Sequence, residues 1–244
     1  MLVGVDEAGR GPVLGPLVIA ACGVPPEDYD LLIEAGVKDS KDLSSKRRDE
    51  LEAWFFSQSE TKGWVASVVT CSPEQIDLAM LDDGLNWLEV RGFSEAISEL
   101  SCRENVQILA DACDVNPQRF TDRICERIDG WPWKNSAMKS EHKADLHHPI
   151  VGMASILAKQ ERDRQIEQLK EDTNLDLGSG YPSDPKTKAA LAHLIVQSGI
   201  HNEVRWGWAT VRRFWETNRT GDLPVRGQLR TKQQSLFKND DARI

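Results

Sequence analysis

The chain has 244 residues, 40% of them hydrophobic and 28% charged, with a formal net charge of −9. That length suits one large domain or a domain with an appendage, and the composition is that of an ordinary globular protein. No stretch approaches the roughly 20 apolar residues that cross a bilayer, and the acidic balance excludes a broadly basic surface, so any phosphate-binding surface is expected in a single groove.

Leu2–Val5 and Leu17–Val24 read as two strands joined by a glycine-rich turn, an antiparallel pair. Residues 44–57 open on serine and continue with good helix formers. Trp64–Cys71 is rich in β-branched residues and reads as a strand. Residues 84–100 carry apolar side chains at a helical period. Val106–Ala110 is a short strand ending at Asp111, and Pro117–Ile128 a helix with proline in its first turn. From Pro149 the pattern turns helical: one helix to about Lys170, another over Pro185–Val196, a third over Trp208–Trp215. On the first, the spacing of Ser155, Lys159 and Arg162 predicts a shared polar face. Residues 218–244 are polar and predict a disordered tail without a core. The expected division is therefore 1–150, 151–217 and 218–244, with the sheet first and helices later.

Five scattered cysteines, Cys22, Cys71, Cys102, Cys113 and Cys125, lack C-x-x-C spacing. They indicate neither a disulfide framework nor a zinc site, and reduced thiols in the cytoplasm are the expectation. Cys22 and Cys113 lie beside apolar strand residues and read as small core hydrophobes. The start MLVGVDEAG has no basic leader, so no signal peptide is expected.

The most informative segment is VGVDEAGRGPVLGP at residues 3–16. Carboxylates at a strand end suit a hard divalent cation. Strict alternation would send Asp6 and Glu7 to opposite faces, so they serve one site only if the strand ends there. The N–H groups of the glycine turn can approach a phosphate or a sugar hydroxyl closely.

DEAGRGPVLGP resembles the opening signature of the type 2 ribonucleases H (ribonuclease HII), and further segments are similar to that family in the same order. They are KDSKDL at 38–43, LADACDVNPQRF at 109–120, EHKAD at 141–145 with ASILAKQERDR at 154–164, GSGYPSDPKT at 178–187, and VRWGW at 204–208. The match spans roughly residues 1 to 215, and its wording is nearer the archaeal and eukaryotic branch.

The resemblance implies an α/β fold: a ribonuclease-H-like mixed sheet flanked by helices, with a small helical C-terminal extension. It implies an endoribonuclease that cuts the RNA strand of RNA–DNA hybrids, and ribonucleotides embedded in duplex DNA, leaving 3′-OH and 5′-phosphate ends. Asp6, Glu7, Asp111 and Asp145 match the family's catalytic and metal-binding carboxylates, for Mg2+ or Mn2+. Two such ions roughly 3.5–4 Å apart suit in-line phosphodiester hydrolysis. Gly9, Arg10, Gly11 and Tyr181 match the residues that sense the ribose, whose 2′-OH separates RNA from DNA.

Lys41 and Lys143, with Lys38, Lys159, Arg162, Lys186 and Arg205, are candidates for the nucleic-acid groove. Asp114 is expected to be solvated, and the His147–His148 pair to shape a turn rather than bind zinc. Gln233–Phe237 resembles a sliding-clamp-binding peptide. A monomer without a membrane partner is expected. The rival readings are a non-catalytic nucleic-acid-binding subunit of the same fold and a junction resolvase. Four retained acids argue against the first, and the GRG segment with Tyr181 against the second.

Overall fold

The computed structural model describes residues 1–38 and 40–226, so Gln233–Phe237 lies outside the described residues. In chain order, β1 (Leu2–Ala8) and β2 (Leu17–Val24) are followed by α1 (Tyr29–Glu34) and α2 (Ser45–Lys62). The Ser44 hydroxyl accepts from the Arg47 N–H at 3.2 Å to start α2, and left-handed Gly63 stops it. β3 (Val65–Cys71) leads to α3 (Pro73–Leu81), which opens on a reciprocal capping box between Ser72 and Gln75. Next come α4 (Leu85–Glu99), β4 (Gln107–Asp111), α5 (Pro117–Cys125) and β5 (Ala137–Glu141). α6 (Ala144–His147), α7 (Pro149–Thr173), α8 (Pro185–Leu194), β6 (Ile195–Val196), β7 (Gly199–Ile200) and α9 (Ala209–Asn218) complete the chain.

These elements form two compact units, and the cut differs from the expected one at residue 150. The first unit holds residues 1–10, 17–71 and 85–165; the second takes 11–16, 72–84 and everything from Ile166. The boundary thus falls inside α7, and two short earlier segments join the C-terminal part.

The first unit is built on a mixed sheet of order β3-β2-β1-β4-β5. β1 pairs antiparallel with β2, as the sequence predicts, and parallel with β4, which pairs parallel with β5. All eight residues of β2 are buried, which explains its unbroken apolar sequence: a strand covered on both faces has no polar side to show. Val18, Ala20 and Cys22 pack with Leu51 and Phe55 of α2 and with Ile156 of α7. On α4, a Cβ at Gly92 would lie 2.6 Å from the Ile19 side chain.

α7 passes so close to β1 that a Cβ on Gly4 would meet the Ile150 carbonyl oxygen at 2.3 Å. Only glycine fits there. The first half of α7 is buried almost all round, and this overrides the expected polar face. Ser155 is 5% exposed and Arg162 2%, and the Ser155 hydroxyl bonds that of Ser40 at 3.0 Å.

The second unit clusters Val13, Leu14, Leu169, Leu177, Leu191 and Trp215, among others, between its helices. Arg205, expected in a nucleic-acid groove, is instead fully buried and donates to the carbonyls of Gly15 (2.9 Å) and Pro16 (2.8 Å). Asp77 is buried and accepts from the N–H groups of Trp206 and Gly207, both at 2.9 Å. Arg226 closes on it at 2.7 Å. The expected tail is therefore part of the packed structure as far as Arg226, because it supplies the cation for a buried carboxylate.

Candidate active site

β1 and β4 run side by side, and their ladder ends at Val5–Ala110. The next residues are Asp6 and Asp111, so two parallel strands deliver carboxylates to the same end of the sheet. β1 does not stop at Asp6, contrary to expectation; it continues to Ala8. Glu7 nevertheless joins the group: one oxygen each from Asp6, Glu7 and Asp111 lies within 4.8 Å of the others. The Glu7 N–H donates to Asp6 Oδ1 at 2.7 Å.

Asp6 is 4% exposed. Burial first, then the charges of Glu7 and Asp111, push its carboxyl well above the usual range. Burial raises Asp111 to about 6, with Glu7 and Asp145 adding to the effect and the Ala144 N–H opposing it. One Glu7 oxygen, Oε2, is buried without a hydrogen-bond partner. Crowded carboxylates that resist ionisation and a buried, unmatched oxygen are what a cation would satisfy. The donors are all oxygens, which fits Mg2+ or Mn2+.

Asp145 stands beside this trio. It is buried in α6, and the Ala144 N–H just before it donates to Asp111 Oδ1 at 2.7 Å. α6 is thus tied to the end of β4. The Asp145 Oδ2 lies 3.8 Å from the Lys41 Nζ, whose side chain is largely exposed. Lys143, in left-handed conformation at the N-cap of α6, is also exposed.

Gly9 has φ 95°, a conformation that favours glycine, and it turns the chain directly after β1. Arg10 is held by α4: its Nη2 donates to Asn86 Oδ1 at 2.7 Å, and its Nε is 2.7 Å from Glu89 Oε1. Gly11 and Tyr181 belong to the second unit, where a Cβ on Gly11 would sit 3.5 Å from the Tyr181 ring.

Asp114 is not solvated. It is 2% exposed, and Arg119 and Arg123 bracket it. The Arg119 guanidinium holds its carboxyl below the usual range. His148 pairs with Glu141 at 2.9 Å, and no histidine joins a potential cation group among the described residues. Lys159 pairs with Asp163. Cys113, expected in the core, lies instead with Glu7 and Glu89, whose ligand atoms are within 4.8 Å of its sulfur.

Glu89 is the residue the sequence does not announce. It is fully buried, and burial, reinforced by Glu7, raises its carboxyl to about 8 against the pull of Arg10. The available signal was Asn86 and Glu89 one turn apart on a helix whose other positions are largely apolar.

The mixed five-stranded sheet flanked by helices is ribonuclease-H-like. A family model described as Ribonuclease HII matches residues 3–211. The Ribonuclease HII of Pyrococcus furiosus is 42% identical over 218 residues, covering 88% of this chain and 91% of its own. The crystal structure of ribonuclease H2 from Pyrococcus horikoshii OT3 aligns with TM-score 0.76 and 36% identity, over 88% of this chain and 97% of the other. The Archaeoglobus fulgidus RNase HII, in a structure of the PCNA:RNase HII complex, aligns with TM-score 0.72 and 38% identity, over 85% and 95%. The chain belongs to the ribonuclease HII family and is a metal-dependent endoribonuclease with ribonuclease H activity on RNA–DNA hybrids.

Proposed function

We propose that Asp6, Glu7, Asp111 and Asp145 are the catalytic and metal-binding residues, and that they hold two Mg2+ or Mn2+ ions. The observation that carries this is the meeting of three of these carboxylates from β1 and β4, with the fourth beside them on α6. When bound, such ions supply an activated water and stabilise the leaving 3′ oxygen. Asp6, Glu7 and Asp111 provide ligand oxygens from a rigid sheet end. The Ala144 N–H fixes the Asp111 carboxylate and leaves its other oxygen for coordination. Cleavage on this reading leaves 3′-OH and 5′-phosphate ends.

The substrates are hybrids and single ribonucleotides embedded in duplex DNA. Gly9, Arg10 and Gly11 approach the ribose through backbone N–H groups, and the Tyr181 ring stacks on a neighbouring sugar. The close approach of Gly11 to that ring supports this reading. Lys41 and Lys143, both exposed, meet phosphates.

Gln233–Phe237 is proposed as a sliding-clamp peptide, supported by the PCNA complex of the Archaeoglobus relative. Its Leu236 and Phe237 would fill an apolar pocket. No helix among the described residues is long and apolar enough to cross a membrane. Cytoplasmic action as a monomer is the proposed setting, in keeping with five scattered cysteines that lack the spacing of a disulfide framework.

Cleavage of three duplexes (all-DNA, one ribonucleotide, full hybrid) with and without Mg2+ tests the reading. Metal-dependent cutting of the two ribose-containing duplexes is expected. Failure to cut the single-ribonucleotide duplex would remove that substrate from the proposal.

A further inference from the structure

Arg10 follows the proposed site by three residues and lies in the segment proposed to sense the ribose. Its guanidinium has two partners on one helix. Asn86 and Glu89 are three apart on α4 and therefore share a face. Asn86 Oδ1 accepts from Nη2 at 2.7 Å, and Glu89 Oε1 lies 2.7 Å from Nε. Arg10 is partly exposed, with 42% of its side chain accessible, whereas Glu89 is 0% exposed. A carboxylate so placed cannot touch a substrate. A buried polar group needs a partner, and Arg10 Nε is the one that faces Glu89 Oε1, although burial and Glu7 hold the Glu89 carboxyl up to about 8. The same carboxylate is adjacent to Glu7, within the 4.8 Å group that also holds Cys113.

We infer that Asn86 and Glu89 are positioning residues, which lock Arg10 and thereby fix the Gly9–Arg10 turn beside Glu7 for discrimination of the ribose. This rests on the site reading above. The physical basis is that a glycine turn is entropically loose. Gly9, at φ 95°, has no side chain to hold it. A guanidinium tied at two nitrogens to a helix restores the rigidity that a sugar-reading backbone needs, and it does so through a group that lysine cannot replace. Positioning errors of about 1 Å cost on the order of a hundredfold in rate.

The test uses the full chain and the variants Glu89→Leu, Asn86→Ala, Arg10→Lys, Arg10→Ala and Arg10→Ala/Glu89→Leu, with Asp111→Asn alongside. kcat and KM are measured on the single-ribonucleotide duplex and the full hybrid, and each variant's melting temperature is recorded. Glu89→Leu keeps the bulk in a fully buried position and removes the oxygen that faces Arg10, and the melting temperature shows whether the fold is retained. The expected result is a fall in kcat on the single-ribonucleotide duplex of roughly ten- to a hundredfold, a smaller fall on the hybrid, and little change in KM. Arg10→Lys should behave like Arg10→Ala. In the Arg10→Ala background Glu89→Leu should have no further effect on kcat, because both changes remove one coupling. Multiplying effects, or losses equal on both substrates that follow melting temperature, would overturn the inference and leave a purely structural ion pair. An active Asp111→Asn would instead overturn the metal-site reading, while the Arg10–Glu89 coupling would still be decided by the double variant.

Discussion

Replacing Asp6 by asparagine should abolish cleavage and, without metal, make the protein more stable. Asp6 faces two carboxylates whose oxygens lie within 4.8 Å. At an effective dielectric of about 20, one pair of unit charges at that distance repels by about 3 kcal/mol. Protons already relieve part of this, since burial and these neighbours push the Asp6 carboxyl well above its usual range. The asparagine Oδ1 can still accept the Glu7 N–H that Asp6 accepts at 2.7 Å. A net gain on the order of 1–3 kcal/mol remains at pH 8, which for a chain of this size raises the melting temperature by roughly 2–10 °C. Thermal unfolding in a chelator reads the gain. Added Mg2+ should raise the melting temperature of the wild type and leave the variant nearly unmoved. A variant that melts lower than the wild type in chelator, or that still responds fully to Mg2+, would refute the electrostatic reasoning.

Metal-free stability should fall as pH rises through about 6. Asp111 holds its proton up to there, and a raised carboxyl stabilises the folded state only while protonated. Mg2+ should therefore stabilise the protein more at pH 8 than at pH 5, measured by thermal shift. Gly4→Ala should destabilise by about 3 kcal/mol or more, since its Cβ would strike the Ile150 backbone; chemical denaturation checks it. Truncation after Asn218 should cost on the order of 3 kcal/mol by removing Arg226 from buried Asp77, whereas truncation after Arg226 should leave both melting temperature and cleavage of a short duplex unchanged. Tyr181→Ala should lower cleavage at an embedded ribonucleotide more than binding to plain duplex; equal losses would indicate a packing role.

The strands β1 to β4 were legible because their apolar runs are bounded by turns, and α2 because Ser44 caps it. α3 has a weak apolar period, and its local signal is the capping box that Ser72 and Gln75 spell. β5 was not legible: Ala137–Glu141 is an edge strand with charged residues, and its identity comes from parallel pairing with β4. Of the site, the four acids were read from motif wording. The convergence of Asp6 with Asp111 depends on β1 and β4 being neighbours, a non-local fact. Arg205 and Arg162 looked like groove cations because sequence does not report burial. Glu89 went unread for the same reason, since a glutamate on a helix ordinarily faces solvent.

The central claim is that the carboxylates at the ends of β1 and β4 perform metal-dependent cleavage of the RNA strand. The most direct test is the cleavage rate of wild type, Asp6→Asn and Asp111→Asn on a full hybrid at saturating Mg2+, with folding verified by circular dichroism. The account predicts cleavage by the wild type and none detectable from either folded variant. Near-normal turnover by either one would contradict it.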